Sequence, residues 1–294
     1  MNIALCADEK YSYPCGVCIT SILENNKECE CNIYILTPGL KNDTIEKFNL
    51  LSKTYGQNIE IIKIDNKNFN NLKISDRFPI SIYYRYLLPQ LLNTEKVLYL
   101  DCDIIVTGKL TDLWNTDIRD LACGVVEDQK SDDITIQNRL GLYRNYFNSG
   151  VLLMNLDFWR KNNTSTALID FIYRNPEKCL YPDQDALNYI LGDNALFLEY
   201  KYNYQEQMLF PKERQYLHKD KWSNLLPADE TPTIIHYTCD IKPWIKNCSH
   251  PLKHHFTKYK ACSPWKINKI RPLYSFREKI RKILHFCSFV LKDK

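Results

Sequence analysis

Glycine is scarce in this chain, with 8 in 294 residues. A phosphate-cradling loop needs glycines close together so that backbone amides can approach the anion, and neither a Walker motif nor a dinucleotide fingerprint occurs. Long apolar runs are lacking too. No window approaches the roughly 20 apolar residues of a membrane span, and the longest candidate, near Leu284–Leu291, contains His285, Cys287 and Ser288. The first residues, Met1-Asn2-Ile3-Ala4-Leu5-Cys6, have neither the basic start nor the apolar stretch of a secretory signal and read as a first strand. A cytoplasmic location is therefore expected. Charge of one sign is also in short supply: the net charge is +4, and with no nucleic-acid motif beside it no nucleic-acid partner is expected. The 12 cysteines are scattered rather than set out as a disulfide framework, which suits a reducing compartment. Cys15-x-x-Cys18 and Cys29-x-Cys31 have no second pair at zinc-ribbon spacing after them, so they read as buried small hydrophobes.

The chain does hold enough apolar material for a large core. Hydrophobic residues make up 45%, with 20 tyrosines and 12 phenylalanines, a composition of folded chains. One large domain over residues 1–250 with an appendage over 251–294 is expected. Strand-like and helix-like stretches alternate: Ile3–Cys6, a helix around Val17–Glu24, Asn32–Leu36, a helix around Thr44–Leu51, Ile59–Ile64, a helix-like stretch Ser81–Leu92, then Val97–Leu100. Alternation of this kind builds βαβ units, hence an α/β fold with a mainly parallel sheet. Later strand candidates are Cys123–Val126, Gly150–Asn155, Ala195–Leu198 and Thr233–His236.

The most informative run is Lys96–Val106, where an apolar strand leads into Asp101-Cys102-Asp103. In an extended chain carboxylates at i and i+2 face the same way. A strand apolar on successive residues is buried on both faces, and ligands of open parallel sheets gather beyond the carboxyl ends of the strands. Two anions there repel unless a cation lies between them, and hard oxygens favour Mg²⁺ or Mn²⁺. The alternative is structural: one aspartate caps the next element and the other pairs with a lysine.

Four further clusters share the expected sheet edge. Ala7-Asp8-Glu9-Lys10-Tyr11 follows the first strand, where Asp8 offers an acceptor for a base or sugar and Tyr11 a ring for stacking. Phe147-Asn148-Ser149-Gly150 precedes an apolar strand and offers an amide at its mouth. Pro182-Asp183-Gln184-Asp185 opens a helix, where capping and the macrodipole would by themselves explain the aspartates. His236-Tyr237-Thr238-Cys239-Asp240-Ile241-Lys242-Pro243-Trp244 ends a strand and brings an imidazole and an ammonium close in sequence.

In this order the motifs resemble the retaining glycosyltransferases of family 8, which include glycogenin and the bacterial lipopolysaccharide galactosyl- and glucosyltransferases. The likeness covers roughly residues 1–250. It implies a GT-A fold, a nucleotide-binding α/β sandwich, with UDP-galactose or UDP-glucose as donor, Mn²⁺ (Mg²⁺ as the alternative) as cofactor, and a saccharide or glycolipid as acceptor in lipopolysaccharide or other surface-glycan synthesis. On this resemblance Asp101, Asp103 and His236 are the metal ligands, with Cys102 between the two carboxylates. Lys242 contacts the donor diphosphate. Ala7, Asp8 and Tyr11 form the uridine-binding segment, and Arg85, Asn148, Asp183 and Gln184 surround the donor sugar, so that Asp183, Gln184 and Lys242 are the catalytic candidates. Asp183 is the better nucleophile by chemistry and Gln184, a neutral amide, the poorer; a donor-binding role is expected for both, and the nucleophile of a double displacement stays unassigned. Two positions depart from the family pattern. Cys239 stands where a glycine is usual and puts a side chain near the phosphate site, and Lys10 replaces a neutral polar residue.

Lysines and arginines at 266, 269, 271, 277, 279, 281 and 282 interleave with Trp265, Tyr274, Phe276, Leu284, Phe286, Phe289 and Leu291. A basic, aromatic segment of this kind suits an anionic membrane surface, giving an expectation of peripheral attachment to the inner face of the cytoplasmic membrane; a helix packed on its own domain is the competing reading. Two other functions fit parts of the pattern. A haloacid-dehalogenase-like phosphatase also carries strand-Asp-x-Asp, with Asp132 and Asp133 as its later acidic pair, but leaves His236 and Lys242 unexplained. A non-catalytic membrane-surface, carbohydrate-binding protein would bind through the tail without turnover.

Overall fold

The computed structural model describes residues 1–69, 72, 79–209, 219–227, 229–238 and 240–268. Its strands are β1 (Asn2–Cys6), β2 (Asn32–Thr37), β3 (Asn58–Lys63), β4 (Lys96–Leu100), β5 (Ile104–Val106), β6 (Cys123–Glu127), β7 (Phe147–Asn155), β8 (Ala195–Phe197), β9 (Tyr204–Gln205) and β10 (Ile234–His236). The helices are α1 (Ser12–Asn25), α2 (Asn42–Tyr55), α3 (Leu88–Leu91), α4 (Thr111–Asn115), α5 (Ile134–Leu140), α6 (Leu156–Lys161), α7 (Thr164–Arg174), α8 (Pro182–Leu191) and α9 (Lys253–Cys262).

A seven-stranded sheet runs in the order β3-β2-β1-β4-β7-β6-β8, and a three-stranded sheet in the order β5-β10-β9. The large sheet is mainly parallel, as expected. β3, β2, β1 and β4 pair in parallel, as do β6 and β8, while β7 runs antiparallel to both β4 and β6. Alternate residues enter opposite cores: Ile3, Leu5, Leu98 and Leu100 pack on one face, Ala4, Val97 and Tyr99 on the other. Burial on both faces is why these strands are apolar at consecutive positions.

Reversal of β7 decides where the site forms. Because β7 is antiparallel to β4, its first residues lie at the edge where β4 ends, with Leu100 opposite Val151 and the Asp101 amide donating to Gly150 O at 2.9 Å. β6 points the same way as β4, so the residue after it, Asp128, reaches that edge too.

The run Lys96–Val106 ends its first strand at Leu100, as expected, but does not stay extended through the two carboxylates. β4 stops at Leu100, residues 102–103 form a turn, and β5 enters the second sheet. The ladder ends there because the Asp101 carboxylate is drawn to Tyr99 and Arg85 (distances below), while the Asp103 carbonyl accepts from Tyr237 N at 3.0 Å and Ile104 pairs with His236. The turn carries the chain from the central sheet to β5, which pairs with the strand that holds the histidine. The stretch Ser81–Leu92 also differs from a plain helix: Ile80–Leu87 is 3₁₀ and only Leu88–Leu91 is α-helical. Pro89 lacks the N–H that an α-helix would direct back to Arg85 O.

α1 is buried along Ser12–Leu23, lying against β5 and α9. At Gly16 a Cβ would stand 2.1 Å from the ring of Trp265, so glycine here permits close approach. Phe256, Tyr259 and Trp265 belong to the same core. The appendage expected from residue 251 thus opens with a packed helix, while the basic and aromatic positions from 269 to 294 lie outside the described residues. Among the described residues no helix is long and apolar enough to cross a membrane.

Candidate active site

Three ligand atoms converge where the two sheets meet. Asp101 Oδ1 accepts from Tyr99 Oη at 2.7 Å and from the Arg85 guanidinium at 3.1 Å, which leaves Oδ2 facing His236 Nε2 at 3.9 Å. Asp103 mirrors it: Oδ2 takes the Lys242 ammonium at 2.8 Å and Oδ1 lies 3.2 Å from His236 Nε2. Each carboxylate has one oxygen held by a neighbouring cation and one turned to the gap. The three side chains each offer a ligand atom within 4.8 Å of the others.

Burial pushes the Asp101 carboxyl up, opposed by Arg85. At Asp103 burial acts in the same direction but is outweighed by Lys242 and His236, which hold the carboxyl well below the usual carboxylate range. The donor set fits a divalent cation, since two carboxylate oxygens and an imidazole nitrogen suit Mn²⁺ or Mg²⁺ and ligands at about 2.0–2.6 Å from one ion lie at about these separations. A second observation agrees. A Cβ at Gly150 would stand 2.3 Å from His236 Cε1 and 2.8 Å from Asp101 Oδ2, so imidazole and carboxylate close over a position that only glycine can occupy.

Next to these ligands the other predicted residues form a hydrogen-bonded wall. Arg85 is buried beneath it, donating to Ser149 O at 2.6 Å, lying 3.3 Å from Asp183 Oδ2, and resting over the Tyr99 ring at 4.1 Å. Asp183 Oδ2 also accepts from Ser149 Oγ at 2.9 Å. Gln184 sits in the first turn of α8; its Oε1 accepts from Ser149 N at 3.0 Å and Asn148 Nδ2 at 3.2 Å, and its Nε2 donates to Asp128 Oδ2 at 3.1 Å. A cavity of about 580 Å³ is lined by Asp101, Cys102, Asp103, Asn148, Asp183, Gln184, His236 and Lys242, together with Tyr11 and Arg85.

The residues of the amino-terminal segment lie at different distances from the cavity. Tyr11 lines the cavity, its ring edge-on to Trp244 with centroids 6.2 Å apart. Ala7 is buried with its amide given to Leu36 O at 2.9 Å. Asp8 Oδ1 takes Tyr11 N at 2.8 Å, and neither Ala7 nor Asp8 borders the cavity. Lys242 lines the cavity with its ammonium on Asp103 and on Tyr237 O, the latter at 2.6 Å. Cys239 lies outside the described residues.

Asp128 and Asn203 are among the residues at the site that were not anticipated. Asp128 lines the cavity, accepting from Asn148 Nδ2 at 3.0 Å and Gln184 Nε2 at 3.1 Å; burial raises its carboxyl above the usual range. Its signal was present, an acid at the carboxyl end of a predicted strand. Asn203, 0% exposed, bonds to the ring of His236 and has no local signature. The acidic pair a phosphatase would need serves structure instead: Asp133 caps α5 and Asp132 pairs with Lys221 at 2.8 Å.

The chain is similar to known proteins. The chain is 30% identical to "General stress protein A" of Bacillus subtilis (strain 168), covering 90% of this chain and 94% of that one. It is 28% identical to "Lipopolysaccharide 1,3-galactosyltransferase" of Salmonella typhimurium, covering 90% and 79%. Among solved structures, galactosyltransferase LgtC in complex with donor and acceptor sugar analogs superposes with a TM-score of 0.81 at 24% identity, over 90% of this chain and 96% of that one, a match of fold. The model of the family described as "Glycosyl transferase family 8" matches residues 2–248, and the chain belongs to that family.

Proposed function

We propose that this chain is a retaining hexosyltransferase that moves galactose or glucose from a UDP-sugar to a saccharide or glycolipid acceptor, in lipopolysaccharide or other surface-glycan synthesis, with Mn²⁺ (or Mg²⁺) held by Asp101, Asp103 and His236. One observation carries the reading: the Asp-Asp-His cluster and the Asp183–Gln184–Asn148 wall line a single cavity. A nucleotide-sugar has the same two-part chemistry, an anionic diphosphate beside a hydroxyl-rich ring. Relatives named as lipopolysaccharide galactosyl- and glucosyltransferases support the substrate class.

When bound, the metal supplies the positive charge that offsets the charge growing on the leaving diphosphate. Lys242, already within 2.8 Å of Asp103, adds an ammonium on the same side. Arg85 keeps Asp101 and Asp183 in place from below. Asp183 Oδ2 is engaged by Ser149 and Arg85 and both ends of the Gln184 amide are engaged by the wall; groups so held orient a sugar, Gln184 as a neutral amide is a poor nucleophile, and a donor-binding role is proposed for both. Peripheral attachment to the inner face of the cytoplasmic membrane, through residues 266–294, is part of the proposal and rests on the basic, aromatic composition of that segment.

The test is a panel of UDP-sugars with Mn²⁺, scoring UDP release and product. Turnover of UDP-galactose or UDP-glucose that vanishes in chelator and in Asp103→Asn is the expected result. Equal turnover in chelator, or no UDP-sugar consumed, overturns it.

A further inference from the structure

His236 can ligate a cation through Nε2 only if its ring proton sits on Nδ1, and a neutral imidazole places that proton according to what its other nitrogen faces. Here Nδ1 lies 2.9 Å from Asn203 Oδ1. An amide can turn either end to a partner, so the question is what makes Asn203 present oxygen rather than nitrogen.

Hydrogen bonds of fixed direction answer it. The Gly150 N–H, a backbone donor that cannot reverse, gives to Asn148 Oδ1 at 2.9 Å. At its other end Asn148 faces acceptors, Asp128 Oδ2 at 3.0 Å and Gln184 Oε1 at 3.2 Å, so its amide is set from both sides. Asn148 Oδ1 then requires a donor from Asn203, whose Nδ2 lies 2.9 Å away. With Nδ2 committed, Oδ1 is the end left for the imidazole. Asn203 and His236 are both buried, and the parallel pairing of β9 with β10, His236 opposite Gln205, delivers Asn203 to the ring.

We infer that Asn203 is a positioning residue for the metal site: oriented by Gly150 N–H through Asn148, it holds the His236 proton on Nδ1 and so turns the Nε2 lone pair toward the gap between Asp101 and Asp103. The inference rests on the proposed metal-binding role of those three residues. It also gives Asn148 a second task, since the amide that bonds to Gln184 in the wall is the one that orients the asparagine behind the metal ligand.

The experiment measures Mn²⁺ alone, without nucleotide, by loss of the free-Mn²⁺ electron paramagnetic resonance signal, on wild type, Asn203→Leu and Asn203→Asp, with thermal melts in parallel. Asn203→Leu should bind Mn²⁺ about 10–100-fold more weakly, the range for a residue that orients a metal-bound histidine, and its turnover should return toward wild type as Mn²⁺ is raised. Asn203→Asp keeps an acceptor at Nδ1 but loses the donor to Asn148, and should stay within about 3-fold of wild type, far from the range of a lost orienting partner. If Asn203→Leu does not fold, Asn203→Asp decides. Undiminished Mn²⁺ affinity in folded Asn203→Leu, or a loss in Asn203→Asp as large as that range, overturns the inference. Failure of wild type to bind Mn²⁺ would instead overturn the metal reading on which it rests.

Discussion

Gly150→Ala tests whether the close approach of the two sheets is what makes the site. The new Cβ would lie 2.3 Å from His236 Cε1, 2.9 Å from His236 Nδ1 and 2.8 Å from Asp101 Oδ2. Carbon atoms rest at about 3.5–4.0 Å, so the imidazole must retreat by about 1 Å. Neither neighbour yields freely: His236 is tied to Asn203, and Asp101 to Tyr99 and Arg85. Overpacking of this kind costs about 1–3 kcal/mol, a drop of a few degrees in Tm for a chain of this size. The effect on chemistry should be larger, because a misplacement of about 1 Å in a reacting array costs around 100-fold. Turnover of a UDP-sugar and Mn²⁺ affinity should both fall while most of the fold persists. Gly108→Ala is the control, since the atoms nearest its Cβ belong to Thr233, at 3.3 Å or more, and its turnover should match wild type. A Gly150→Ala protein with wild-type Mn²⁺ affinity and rate would refute the reasoning.

Asp103→Asn should lose at least about 100-fold in turnover with little change in the melt; a wild-type rate would remove Asp103 from the metal site. Lys242→Ala should slow turnover by roughly 10²–10³-fold, the scale for losing one stabiliser of transition-state charge, and a folded, full-rate variant would assign the ammonium to structure alone. His250 is 1% exposed, with burial and then Lys242 lowering its value from 6.5 to about 4. The folded form therefore stays neutral where the unfolded chain takes up a proton, so stability is full above pH 6.5 and falls as pH drops toward 4, by roughly 3 kcal/mol at 1.36 kcal/mol per pH unit. His250→Asn, able to keep the bond from Leu252 N as a local turn, should flatten that acid limb in urea melts at pH 4–7; an unchanged limb would place the titration elsewhere. A chain ending at Asn268 should keep its melt and its activity on a soluble acceptor yet bind anionic liposomes more weakly, whereas Trp265→Ala should cost about 3–5 kcal/mol; equal liposome binding by the shortened chain would refute the membrane role of the tail.

Strands β1, β2 and β4 were legible because burial on both faces leaves consecutive apolar residues, β3 from Ile59, Ile61 and Ile62 although it is a half-exposed edge strand, and Asp101 and Asp103 because a charged pair after such a strand stands out against it. The direction of β7 was not legible: Phe147–Asn155 is buried throughout, and such a strand looks alike in parallel and antiparallel company. Yet that direction brings Gly150 and Asn148 to the edge where β4 and β6 end. β5 was not singled out, since Ile104–Val106 continues the apolar pattern of β4 while serving another sheet. Asp128 follows β6 in the same relation that Asp101 has to β4, and it is overlooked only if strand ends are searched for paired acids rather than for any acid. Asn203 differs in kind. Its partners lie 33 and 55 residues away, it ends a 3₁₀ turn before a two-residue strand, and an asparagine there reads as a turn former. Its role comes from the direction of a chain of hydrogen bonds that starts at one backbone amide, and a direction of that sort exists only once three strands from two sheets have come together.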